Sequence, residues 1–216
     1  ATYNPANPTV FPSNFPDEFF YALADSDNVA TPGCLGTAPG RASVRIALEG
    51  AFINGAPAAA DRMVFGRIRV KVTSGLCPNT AYQFRHPFGT ITLTTNGAGA
   101  IPANIGTEDI GCVPTPAKAC NFNTATTSRV FGTSAAGGFL RWDPTVAPAA
   151  PSGYLGDGAA TLHAVTGGTN GNAFRILSSS GVDTGLGTSL FGVAGKLAGS
   201  LIASPEPLDI GGVALG

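Results

Sequence analysis

Between Phe65 and Thr73 the cations Arg67, Arg69 and Lys71 alternate with Ile68, Val70 and Val72. A repeat of two residues fits a strand, whose successive side chains point to opposite faces; a helix would scatter the same pattern around its whole surface. One face of that strand is apolar and demands a second apolar layer to cover it, while the other faces water. The row of cations reads either as a binding stripe or as the solvated back of a core strand. An apolar row in strict register with it supports the second reading.

The same period recurs along the chain. In 41–54, Val44, Ile46 and Leu48 share a face from which Arg45 and Glu49 are turned away. In 81–95, Tyr82, Phe84 and His86 lie on one side, Pro87, Phe88 and Gly89 supply a turn, and Thr90, Thr92 and Thr94 alternate with Ile91 and Leu93. That is a hairpin pattern. The segment 17–24 reads as a strand with Phe19, Tyr21 and Leu23 on its apolar side, and 161–166, 173–178 and 190–198 read as three more. A last strand is available around 208–213. Thirty Gly and 17 Pro punctuate these segments, as turns between short strands require. Residues 96–128 are turn-rich, and 139–157 read as a long loop around Trp142. With no repeat and no linker, residues 17–216 are expected to form a single all-β domain with little helix. A β-sandwich is the expected architecture, the jelly roll being one arrangement it admits. Residues 1–16 carry prolines at 5, 8, 12 and 16 that forbid a helix, so they are expected to form an extended N-terminal arm.

Charged residues are only 12% of the chain and the net charge is -1, against about 25% charged in ordinary soluble domains. No basic run offers a footprint for nucleic acid or an anionic membrane. A 44% hydrophobic content excludes general disorder. The apolar runs are far shorter than the ~20 residues that span a bilayer. Lysine is confined to Lys71, Lys118 and Lys196, leaving a weakly charged Thr, Ser, Asn and Gly surface that tolerates close packing against copies of itself. A small first residue, Ala1, matches what signal-peptidase cleavage leaves. With no usable Asn-x-Ser/Thr acceptor in the chain, the expected setting is extracellular or cell-surface and prokaryotic.

Four cysteines allow three pairings. The favoured pair of disulfides is Cys112 with Cys120, closing a local Pro-rich loop, and Cys34 with Cys77, tying distant segments. Zinc and c-type haem have little support: there is no Cys-x-x-Cys, and His86 and His163 stand alone. No cofactor and no metal is expected.

The run Leu76-Cys77-Pro78-Asn79-Thr80-Ala81-Tyr82 resembles the L-x-P-x-T-x-Y stretch of fibronectin type III domains. The resemblance implies a sandwich edge at which the tyrosine hydroxyl caps nearby backbone. The stretches VFGRIRVKV, HPFGT, TEDIGC and FLRWDP are similar to segments of uncharacterised secreted bacterial proteins, which implies a secreted β-domain and carries over no functional residue.

Catalytic groups are sparse. A nucleophile–histidine–acid triad would need His86 or His163 with Asp109, Asp143 or Asp157, and no Gly-x-Ser-x-Gly elbow is present. Glu108 and Asp109 are neighbours on one segment, so in a strand they face opposite ways and cannot flank one sugar. The Asp25 to Asn28 run lacks the glycine and the later glutamate of a calcium loop. Trp142 and Tyr154, with Phe139, form a possible ligand platform for a surface glycan, set against a core role for Trp142. The expected function is therefore non-enzymatic: an extracellular structural protein, a subunit of a pilus-like or matrix filament. Its partners would be copies of itself, joined by strand donation through Tyr3, Val10, Phe11 and Phe15 of the arm. A carbohydrate-binding or adhesive module is the alternative, and a secreted hydrolase the least supported.

Overall fold

The computed structural model describes residues 3–110, 138–159 and 161–197, with the backbone of 209–210 and 213–214. Its strands are β1 (Glu18–Ser26), β2 (Val29–Thr31), β3 (Gly40–Phe52), β4 (Arg62–Val72), β5 (Ala81–His86), β6 (Gly89–Thr94), β7 (Thr107–Ile110), β8 (Arg141–Trp142), β9 (His163–Thr166), β10 (Phe174–Ser178), β11 (Asp183–Thr188) and β12 (Leu190–Gly195). A further short pair joins β13 (Asp209–Ile210) to β14 (Val213–Ala214). The only described helix is one 3-10 turn at Ala59–Asp61.

The described strands build the expected all-β sandwich. One sheet runs β7-β4-β3-β1-β12-β9-β8, with β2 also paired to β3; the other runs β11-β10-β5-β6. All pairings are antiparallel. The backbone of the large sheet is the pairing of β3 with β4 from Ala42↔Val72 to Phe52↔Arg62. It puts Val44, Ile46, Leu48, Ile68, Val70 and Val72 into the core, as the alternation requires. Tyr82, Phe84, Phe174 and Ile176 come from the facing sheet, and the Phe84 and Phe174 rings stack at 6.3 Å.

Local sequence misplaced one face. In β1 a bulge at Tyr21 shifts the register between Phe20 and Ala22. Ala22, Ala24 and Ser26 therefore face the core, while Tyr21 and Leu23 are only half-buried. Small side chains suit a centre already filled by Phe84, Phe174 and Phe191.

Cys34 and Cys77 are disulfide-bonded, fastening the loop after β2 to the start of the β5–β6 hairpin. Cys112 and Cys120 lie outside the described residues. Beside the disulfide, the Tyr82 hydroxyl accepts the Cys77 N–H at 3.2 Å, the contact implied by the Leu76–Tyr82 resemblance. The Thr95 hydroxyl donates to the Cys77 carbonyl at 2.6 Å. The open end of the hairpin is thus latched.

The N-terminal arm is not one straight strand. Residues 3–16 fold through tight turns, held by a Val10↔Asn14 bridge and by the Asn14 side chain, which donates to the carbonyls of Asn4 and Pro8. Four prolines favour such turns once a side-chain amide can replace the missing backbone donors.

Candidate functional site

The sheet edges differ in chemistry. β7 is four residues long and carries Glu108 and Asp109, and β8 has two residues. β11 is interrupted: Leu177 pairs with Asp183 but Ile176 with Leu186, and Gly185 sits at φ +80. Charge, shortness and bulges are the usual ways in which an edge strand is kept from pairing with another chain. β6 has none of them. Its sequence, Gly89-Thr90-Ile91-Thr92-Leu93-Thr94, has no charge and no proline, and its pairing with β5 is unbroken from His86↔Gly89 to Ala81↔Thr94.

The geometry of that hairpin decides which groups are free. Pro87 and Phe88 form a two-residue turn, so His86 and Gly89 are the pair that exchange hydrogen bonds. Alternation then directs the N–H and C=O of Gly89, Ile91 and Leu93 toward β5. The Thr95 N–H, which donates to the Thr80 carbonyl at 3.0 Å, keeps that parity beyond the strand. Thr90, Thr92 and Thr94 consequently direct their backbone groups away from the sheet, where no described residue bonds to them. Their side chains are exposed, and Ile91 and Leu93 are half-buried against the core.

A second feature lies on the outer face of the large sheet. Arg67 holds Asp109 with two bonds of 2.6 and 2.9 Å, approaches Glu49 at 2.8 Å and Glu18 at 3.4 Å, and lies 4.8 Å over the Phe65 ring. Three carboxylates share one guanidinium, and Glu49 is 1% exposed. Loss of solvent raises the Glu49 carboxyl from 4.5 to about 7; the Arg67 charge opposes the rise, and Glu18 and Asp109 add to it. The solvated-face reading of the cation row is therefore corrected at Arg67, while Lys71 is exposed as expected. Farther along, Arg45 holds Asp25 at 2.8 Å, and with Ser43, Arg69 and Lys71 they line an open cavity of about 370 Å³.

The residues singled out from sequence fall in different places. Phe11 and Phe15 dock on their own domain: Phe15 meets Phe19 and Phe52 edge-on at 5.4 and 6.0 Å, and Phe11 stacks on Phe52 at 6.0 Å. Of the arm residues, Tyr3 and Val10 stay exposed. Trp142 is 5% exposed and stacks on the His163 ring at 4.4 Å, so it belongs to the core and presents no platform. Tyr154 is exposed beside a cavity of about 300 Å³ that Trp142 lines from within. His86 and His163 are both buried. Among the described residues no group of three or more His, Cys, Asp or Glu is placed to hold a metal ion, and no helix is long and apolar enough to cross a membrane.

Sequence reading placed the Thr90, Thr92 and Thr94 row on a hairpin and attached no role to it. The signal was there in the neutral, proline-free alternation, but nothing local told that β6 would be a terminal strand. No protein-family model, curated protein or solved structure matches this chain.

Proposed function

We propose that this chain is an extracellular structural protein that joins copies of itself by adding a strand at the β6 edge, as a subunit of a filament or matrix. The observation that carries the reading is the row of outward backbone groups at Thr90, Thr92 and Thr94 on an uncharged, regularly paired strand, groups to which no described residue bonds. Main-chain bonds of this kind supply affinity in strand addition, while the alternating side chains supply specificity. The Cys34–Cys77 disulfide suits an oxidising compartment. The apolar arm residues Phe11 and Phe15 are engaged within the chain, so β6 takes over from the arm as the principal junction. Tyr3 and Val10 are left to serve a second contact.

Sedimentation of the purified chain over a wide concentration range, beside negative-stain electron microscopy, tests the proposal. Concentration-dependent association that weakens in Thr92→Pro is the expected result. A chain that stays monomeric at every concentration overturns it.

A further inference from the structure

The β6 sequence is symmetric in its chemistry. Read in either direction from Thr92, the order is Thr, apolar, Thr: Ile91 and Leu93 flank it, and Thr90 and Thr94 close the pattern. We infer that β6 pairs with β6 of a second copy, antiparallel, about a two-fold axis through Thr92. The inference rests on the self-association proposed above and adds its symmetry and register.

Three considerations select this register. The outward backbone groups belong to Thr90, Thr92 and Thr94, so only pairings that set threonine opposite threonine bring donors and acceptors together. Centring on Thr92 pairs Thr90 with Thr94, Thr92 with itself and Thr94 with Thr90, giving about six hydrogen bonds at two for each such pair. Centring on Ile91 or on Leu93 leaves only two of those pairs, because the third threonine then meets Phe88 of the turn or Asn96 beyond the strand.

The side chains agree with the backbone. An axis perpendicular to the sheet keeps each face on its own side. Threonines meet threonines on the outer face, a favourable cross-strand combination. On the inner face Ile91 meets Leu93 of the second copy in the closely spaced type of pair, which covers two apolar side chains that are half-buried in the monomer.

Charge sets no obstacle. β6 has no ionisable side chain, and the nearest cation on the hairpin, Arg85, lies on β5. Across the junction the two Arg85 strands stand three strand spacings apart, about 14 Å, beyond the screening length of about 8 Å in physiological salt. The result is a continuous eight-stranded sheet, β11-β10-β5-β6 followed by its two-fold mate. Such a junction closes on itself, so growth into an array requires a second contact, for which the exposed Tyr3 and Val10 are available.

Single cysteine substitutions read the register directly, with the unsubstituted chain as the control for its native cysteines. In this register Thr92→Cys forms a disulfide-linked dimer with itself under mild oxidation. Thr90→Cys or Thr94→Cys alone sits about 14 Å from its own counterpart, beyond the ~7 Å that a disulfide spans. The two mixed together cross-link. We expect at least a tenfold difference in yield between Thr92→Cys and either of the other two alone. Dimers that sediment as such but cross-link through another position overturn the register and leave self-association standing. Monomers throughout overturn both. Loss of dimer in Phe11→Ser/Phe15→Ser with Thr92→Pro unaffected would identify the arm as the occupant instead. Thr92→Pro removes only an outward N–H and is expected to fold and to dissociate; should it fail to fold, Thr92→Lys places two like charges on the axis and is expected to weaken the dimer at least tenfold.

Discussion

The two edges of the small sheet were built by different means. β11 reaches its end through a tight turn, a register shift opposite Leu177 and a glycine at positive φ, so its outward groups do not form a continuous row. β6 leaves a two-residue turn and pairs with β5 without interruption, so its outward groups fall at every second residue. Both strands are six residues long and nearly uncharged. What separates them is regularity of backbone, and regularity is what a second strand needs in order to bond. The edges of the large sheet are blunted by charge at β7 and by shortness at β8.

The largest effect that would test this contrast comes from the latch on the hairpin. The disulfide closes a loop with a sequence separation of 43, worth about 4 kcal/mol in the chain-entropy account. Cys34→Ser/Cys77→Ser is expected to lower stability by about that amount in chemical denaturation. Hydrogen exchange should rise in β5 and β6 before β10 and β11, since Cys77 anchors only the former pair. Equal loosening of both edges would break the comparison.

Next in size is parity within β6 itself. Ile91 donates its N–H to β5, so Ile91→Pro should cost about 3 kcal/mol of folding stability.

The charged face offers a contrast in pH. The folded chain holds a proton on Glu49 up to about 7 against an ordinary 4.5. Between those values it binds more protons than the unfolded chain, so this contribution is fully present below pH 4.5 and is lost as pH rises through 7. The expected fall is about 2 to 3 kcal/mol, and Glu49→Gln should flatten it in denaturation series at several pH values. β6 has no titratable group, so dimer dissociation compared under folded conditions should stay flat over the same window.

The smallest expected effect is that of Thr92→Pro on folding, within about 0.5 kcal/mol of the parent because an edge strand tolerates proline where its N–H faces out. A loss as large as that of Ile91→Pro would show that the two faces of β6 are not distinct.

Much of this fold was legible in the chain because a strand's alternation is local. Ile68, Val70 and Val72 face the core and Lys71 faces water from the pattern alone. The β5–β6 hairpin was readable in the same way, whereas the Tyr82 contact was implied only by the resemblance of Leu76–Tyr82, and Cys34–Cys77 was the favoured one of three possible pairings. The bulge at Tyr21 was not, because it answers to the size of side chains arriving from the opposite sheet. β11 was not legible, because Gly185 and Gly187 break any alternation of apolar and polar side chains along it. The docking of Phe15 on Phe52 and of Trp142 on His163 joins segments about which local spacing says nothing.

The amino-acid sequence by itself determined that this protein is a layered assembly of strands with a neutral threonine hairpin. Only the tertiary structure decided that the hairpin ends the described part of its sheet. Strand order depends on the pairing of Phe84 with Ile176, far apart along the chain, and such a pairing is selected by burial of both faces together, which no local period encodes.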